Sequence, residues 1–458
     1  MAAGKGIVDI ALPSDFVDRM HVRYGDAWTS ALCSALSSDA GTSIQLNPQK
    51  AHDLFVDEES VPWCPHGRYL KERPVFTLDP LYHAGVYYSQ EASSMFLWHM
   101  LQSLPLPEHQ PLRMLDLCAS PGGKSLIMSH FLGHRGVLVS NEINKQRNAI
   151  LVENLIKSGV QNTVVSSAQA SDWGEHEGVF DVILIDAPCS GEGMFRKDPQ
   201  ARAEWSLANV DRCAIRQREI IEQVLPALRP GGFLIYSTCT FDSSENEEVL
   251  QEVIQRHGFS LHTPEVDAAW GISPGDGQPS LGFRFWPHRI RGEGFFMGAL
   301  RAPDNGESQP HRNLRPKVLF SELERKLRPV VAAWLDTDGV FMDGRGVCYR
   351  SVLPLVELNA WAHNVYFTMP GAPLGEIKHH DFIPHAALAL AVDVPLQVPR
   401  IELNENEALA FLRGEAWACE PGQGWALVQY RGVGLGWIKR MGNRINNYCP
   451  KEWRIRMR

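Results

Sequence analysis

Two cysteines in this chain sit where a thiol could do chemistry. Cys189 lies in Asp186-Ala-Pro-Cys-Ser-Gly-Glu-Gly193, and Cys239 lies in Ser237-Thr-Cys-Thr240. Each stretch closes an apolar run, Phe180 to Asp186 and Gly232 to Ser237. Such runs form strands buried on both faces of a parallel sheet. Open α/β sheets bind their ligands at the carboxyl ends of those strands. A single cysteine there is ordinarily inert packing. Two converging thiols with the Asp186 carboxylate beside them point instead to covalent catalysis with general acid–base help.

A third stretch, Asp116-Leu-Cys-Ala-Ser-Pro-Gly-Gly-Lys-Ser125, follows the run Arg113 to Leu117 and opens a helix. Consecutive glycines let a ligand approach the backbone, and the helix N-terminus offers unpaired N–H groups. A phosphate-cradling P-loop needs a glycine five residues before Gly123, and Cys118 stands there. The dinucleotide fingerprint G-x-G-x-x-G is absent as well. What remains is a ligand whose adenosine and amino-acid parts span a strand end. Glu142, after the run Gly136 to Ser140, is placed to hydrogen-bond a ribose diol. Thiol, acid and adenosyl ligand together suit one reaction on a pyrimidine. Its carbon 5 is not nucleophilic, but a thiolate added at carbon 6 makes it enamine-like and able to take a methyl group. The acid can hydrogen-bond N3 and the exocyclic amine, and the second thiol can assist the elimination that frees the enzyme.

The elements that position these loops alternate between strand and helix from about Leu112 to Leu300. A helix with Ile143, Ile150, Leu151 and Leu155 ends near Gly159. A long one carries Leu207, Val210, Ala214, Ile221, Val224 and Leu228 ahead of Pro230-Gly231-Gly232. Ser244 and Glu247 are spaced as a capping box for a helix with Val249, Leu250, Val253 and Ile254. The pattern predicts an α/β fold with a doubly wound, Rossmann-like core over 101–302. Residues 1–100 read as an α+β accessory domain. There Ser14 caps one helix bearing Phe16, Met20, Tyr24, Trp28 and Leu32, and Thr42 to Leu46 forms a strand. A polar linker from Arg301 to Lys317 leads to an α+β subdomain over 318–385. A small β module over 386–458 follows, with strands at Trp425 to Tyr430 and Gly434 to Lys439.

Apolar residues make up 44% of the 458 and charged residues 21%, which excludes a disordered chain, a collagen and a disulfide miniprotein. No window reaches the roughly 18 apolar residues of a membrane helix, and the opening residues do not read as a signal peptide. Nine cysteines without secretory context read as reduced thiols of a cytoplasmic protein. No metal is expected. Cys64-Pro65-His66 lacks a second ligand pair, and His379-His380-Asp381 reads as a solvated loop. From Arg431 to Arg458 eight Lys and Arg face one acid, Glu452, a tail of +7 on a chain of −9. A basic end on an acidic body suggests a polyanion held at one place, with Trp425, Tyr430, Trp437 and Trp453 available to stack on bases or to form a module core.

The three loops, with Glu245-Asn246-Glu247 behind the last, resemble the motif set of the RNA cytosine-5 methyltransferases of the Nol1/Nop2/Sun family. Tyr88-Ser-Gln-Glu-Ala-Ser-Ser94 and the run Gly191 to Pro199 are similar too, the latter to a bacterial branch acting on small-subunit ribosomal RNA. The resemblance implies a methyltransferase core with an accessory RNA-binding domain over 1–100, a PUA-like, RNA-binding C-terminal module and S-adenosylmethionine as cofactor. It assigns cofactor contacts to Cys118, Ala119, Ser120, Pro121, Gly122, Gly123 and Lys124, the ribose to Glu142, and a core-facing basic residue to Arg147. It makes Asp186 both a cofactor and a base contact, Cys239 the nucleophile and Cys189 the release thiol. Gln169 stands where many relatives have an aspartate at the adenine, with Asp172 the alternative; Gln45 stands where they often have arginine. The implied partner is RNA, 16S ribosomal RNA or the 30S subunit, with no DNA and no membrane, and the implied state is a monomer. Alternatives are a non-catalytic RNA-binding assembly factor, against which the intact Cys189, Cys239 and Asp186 argue, and a methyltransferase acting on tRNA.

Overall fold

A computed structural model describes residues 10–50, 53–304, 318–379, 381–392 and 396–457. His380 and most of the linker thus lie outside the described residues. Among those described, ten strands form the central sheet. Five run parallel: β1 (Leu112–Asp116), β2 (Gly136–Asn141), β3 (Thr163–Ser166), β4 (Phe180–Asp186) and β5 (Leu228–Thr238). Their order is β3-β2-β1-β4-β5, and β6 (Phe295–Arg301) pairs antiparallel with β5. The chain steps outward from β1 to β3 and then returns to β4. The crevice at the carboxyl ends of β1 and β4 is therefore the topological switch point, where such sheets bind ligands. Val182, Ile183, Leu184 and Ile185 of β4 are fully buried, as expected of a strand covered on both faces.

Four helices carry the site: α1 (Gly123–Leu132), α2 (Lys145–Ser158), α3 (Leu207–Val224) and α4 (Glu247–His257). Asn144 caps α2 and Ser206 caps α3 through side-chain oxygens. Helix α3 ends earlier than its apolar pattern suggests, and Leu228 opens β5 instead. The expected Ser244–Glu247 capping box does not form. Ser244 lies in a 3-10 turn whose N–H is taken by Asp242, and Glu247 is drawn into a buried ion pair with Arg284.

The single N-terminal helix expected from Phe16 to Leu32 is two, Ser14–Tyr24 and Asp26–Leu36. Gly25 breaks it at φ +80°, a conformation side-chain-bearing residues avoid. Pro13, not Ser14, occupies the cap position. This pair of helices buries Phe16 against Phe195 and Trp205, with ring centroids 5.2 and 6.1 Å apart, next to the loops that carry the thiols. The strand Thr42–Leu46 sits within a four-stranded sheet that follows.

Beyond the linker, residues 320–384 hold a five-stranded sheet, while Phe367–Met369 leaves it to pair with β3 at the edge of the core. The last sheet joins Arg400–Leu403, Gly422–Tyr430, Val433–Gly442 and Arg444–Asn447. Trp437 is buried in its core and donates to the His385 carbonyl. Trp425 stays half-buried under Lys439, and Trp453 packs beneath Lys157 of α2. No helix among the described residues is long and apolar enough to cross a membrane.

Candidate active site

Strands β4 and β5 are neighbours in register, with Asp186 opposite Ser237, so the loops that follow them start side by side. That register brings Cys189 Sγ to 3.1 Å from Cys239 Sγ. The contact with Cys239, and burial after it, push the Cys189 pKa up. Asp186 Oδ1 accepts from Ser237 Oγ at 2.8 Å, and Oδ2 accepts from Lys124 Nζ at 2.9 Å. Burial works against the Lys124 charge, but the Asp186 carboxylate, with Asp116 and Cys239 beyond it, outweighs burial and raises its pKa. The ammonium also lies 5.1 Å from the Phe295 ring centroid.

On the other side of the switch point the glycine loop turns into α1. Gly122 caps α1 at φ +117°, and a Cβ there would press on Leu151 at 3.2 Å. Asn154 of α2 donates to the Pro121 carbonyl, and Arg147 donates to the Ser120 carbonyl. Ser120 Oγ returns a bond to the Arg147 carbonyl. Arg147 also lies 3.3 Å from Glu142, whose other oxygen accepts the Asn144 N–H. Asp116, at the end of β1, is wholly buried. Burial lifts its pKa to about 7 against the opposing hydrogen bond from Ser125.

Between these two sides lies a cavity of about 490 Å³. Cys118, Glu142, Arg147, Gln169 and Asp186 line it together with Cys189 and Cys239. Ala119, Ser120, Pro121, Gly122, Gly123 and Lys124 do not; they form the turn behind Cys118, and Lys124 instead serves Asp186. Arg147 is not core-facing, since its side chain is 55% exposed and lies back over the loop. Gln169 reaches the cavity while Asp172 turns away, accepting the Gln169 N–H in a capping box. Gln45 lies away from this cavity, buried 3.5 Å from His130.

Sequence reasoning missed Asn141, which lines the cavity and donates to the carbonyls of Leu117 and Ala168. It thereby ties the ends of β1 and β3 together. Gln217 was missed too. It sits fully buried among Val210, Ala214 and Ile221 on the apolar stripe of α3 and reaches Pro188 and Glu245. A glutamine in such a stripe is itself a signal, because a buried amide needs partners. Among the described residues no group of three or more His, Cys, Asp or Glu is arranged to hold a metal ion.

A cavity of this size at the switch point of a β3-β2-β1-β4-β5 sheet, closed by a buried acid at the end of β2, fits an adenosyl amino acid. Fold and cavity together define an S-adenosylmethionine-dependent methyltransferase. The family model described as 16S rRNA methyltransferase RsmB/F matches residues 103–301. The RsmF N-terminal domain matches 12–92, and the methyltransferase RsmF PUA domain matches 398–455. Ribosomal RNA small subunit methyltransferase F of Shewanella loihica is 31% identical over 419 residues, spanning 86% of this chain and 83% of that one. The protein of that name from Klebsiella pneumoniae is 31% identical over 407 residues, spanning 86% and 84%. The chain belongs to the family of ribosomal RNA small subunit methyltransferase F and is an S-adenosylmethionine-dependent ribosomal RNA methyltransferase. A methyltransferase homologue from Pyrococcus horikoshii superposes with a TM-score of 0.55 at 25% identity over 64% of this chain and 96% of that one. NSun6 of the same organism, solved with SFG, shares the fold at 20% identity and a TM-score of 0.55, over 64% of this chain and 99% of that one.

Proposed function

We propose that this chain methylates carbon 5 of a cytosine in 16S ribosomal RNA through a covalent adduct of Cys239 at carbon 6. The supporting observation is the 3.1 Å contact between the two sulfurs, on the same wall as the Asp186–Lys124 pair. Cys239 bonds carbon 6, and electron density moves through the ring toward N3. Asp186 meets N3 and the exocyclic amine, and Lys124 and Ser237 hold that carboxyl in place. S-adenosylmethionine supplies the methyl group, and Glu142, Gln169 and the Cys118 turn are the groups that hold it.

The contact between the thiols supports the order of events. While Cys239 is free, its sulfur keeps the Cys189 proton in place. Once Cys239 is bonded to carbon, that part of the upward push is removed, and Cys189 gives its proton to solvent against the burial that remains. As thiolate it takes the proton from carbon 5, the carbon 5–carbon 6 double bond re-forms, and the Cys239–carbon 6 bond breaks to return the nucleophile. The cytosine has to leave its stack to reach this pocket. The reading places the protein in the cytoplasm, with the C-terminal module gripping RNA phosphates. Nucleoside analysis of 16S RNA and of 30S subunits incubated with the protein and S-adenosylmethionine tests it. 5-Methylcytidine is expected, and a methyl group on a ribose or on another base atom would overturn it.

A further inference from the structure

Behind the thiol pair lies a buried carboxylate that the proposed mechanism does not use. Glu245 has no exposed surface. Its Oε2 accepts from Ser190 N–H and from Gln217 Nε2, both at 2.9 Å, and its Oε1 accepts from Ser190 Oγ at 2.5 Å. The same Gln217 amide donates to the Pro188 carbonyl at 3.0 Å. The residues on both sides of Cys189 are thus anchored to one carboxylate–amide pair. Ser190 Oγ also lies 2.9 Å from Thr240 Oγ1, beside the other cysteine.

Cys239 has anchors of its own. Asn246 donates to the Thr240 carbonyl and accepts from Thr238 Oγ1, and Gly193 N–H donates to the Cys239 carbonyl. Removing the Glu245 carboxylate therefore loosens the Cys189 loop at Ser190 and Pro188, while the two Asn246 bonds, which do not depend on that loop, keep the Cys239 loop in place. We propose that Glu245 is a positioning residue that holds Cys189 against Cys239 and so governs release of the RNA adduct rather than its formation. This rests on the reading of Cys239 as nucleophile and Cys189 as release thiol.

The chemistry of the cluster separates two substitutions. Glu245→Ala leaves the Ser190 N–H and one Gln217 amide hydrogen without their acceptor, while the Ser190 hydroxyl can turn to Thr240. Glu245→Gln keeps one oxygen for the Ser190 and Gln217 N–H groups, while its NH2 donates to Ser190 Oγ, whose own proton turns to Thr240. The test is a single-turnover reaction of the full-length protein with methyl-labelled S-adenosylmethionine and RNA, following methyl transfer and denaturant-resistant RNA–protein adduct separately. Glu245→Ala is expected to release adduct about a hundredfold more slowly, the scale of a 1 Å misplacement, and so to accumulate it. Its methyl transfer and S-adenosylmethionine affinity stay near wild type, and Glu245→Gln restores release. Equal losses of methyl transfer and cofactor affinity without adduct would show a merely structural role and overturn the proposal. Cys189→Ala runs alongside. If it traps adduct and folded Glu245→Ala does not, the positioning role falls; if it traps none, the assignment of the thiols falls with it. Should Glu245→Ala fail to fold, Gln217→Ala decides, with release slowed about tenfold supporting the role and unchanged release overturning it.

Discussion

In the thiol pocket Glu192, Glu245 and Asn246 are almost wholly buried, and their side chains tie one loop to another. In the C-terminal module Arg444, Lys451 and Arg456 stand in solvent on short strands and turns. The pocket relies on sulfur and oxygen atoms held to tenths of an ångström inside low dielectric. The module offers charge whose position hardly matters, because attraction to phosphates acts over a Debye length of about 10 Å. One region should therefore respond to single substitutions in an all-or-none manner, and the other in small, salt-dependent steps.

Replacing the nucleophile is the sharpest way to break that comparison. Cys239→Ala is expected to lower methylation by about 10⁴-fold or more and to leave no RNA adduct, as read by labelled-methyl incorporation and denaturing gels. A variant that kept activity would move the nucleophile elsewhere. Cys189→Ala, a change of one atom on the neighbouring loop, should still form adduct but release it about a hundredfold more slowly, so that protein accumulates on RNA. Normal turnover would mean that the second thiol does not act in release.

A third measurement probes burial itself. Burial lifts the Glu192 pKa from 4.5 to about 7, with Asp242 adding to it and the Phe241 N–H opposing. The folded protein then holds a proton that the unfolded chain has lost. Stability from this group is therefore lost as pH rises between about 4.5 and 7, by about 2–3 kcal/mol. Glu192→Gln cannot titrate, so its melting temperature should fall less than wild type between pH 5 and pH 8. Parallel curves in a thermal melt would show that Glu192 is ionised throughout. The smallest effect belongs to the surface. The triple substitution of Arg444, Lys451 and Arg456 to Ala should weaken RNA binding about tenfold and reduce the slope of log affinity against log salt by about two. An unchanged slope would remove the module from the phosphate contacts. Cutting at Arg431 is a poorer test, because Trp437, Ile438, Cys449 and Ile455 are buried and their loss dismantles the module.

Much of the site was legible because its motifs are local. Asp186 and Cys189 follow one apolar strand, Ser237 and Cys239 the next, and Gly122 sits where a strand turns into a helix. Gln169 rather than Asp172 at the cavity was not legible, since a capping box three residues long decided it. Glu247 fits a cap on paper, but Arg284, distant in sequence, offers it a bidentate buried partner, and that contact wins. The joint at Gly25 was signalled by the glycine and hidden by apolar spacing that continues across it. Lys124 belongs to the glycine loop in sequence and to the Asp186 carboxylate in space.

Alternation of apolar runs and glycine turns was enough to determine a doubly wound core, its ligand-binding edge and the residue types available there, because strand burial and turn geometry act over a few neighbouring residues. The distance between sulfurs fifty positions apart, the carboxylate behind them and the partner of Lys124 were decided only when β4 and β5 paired in register. Hydrogen bonds and thiol contacts fall off within an ångström, and no pattern along the chain encodes separations on that scale.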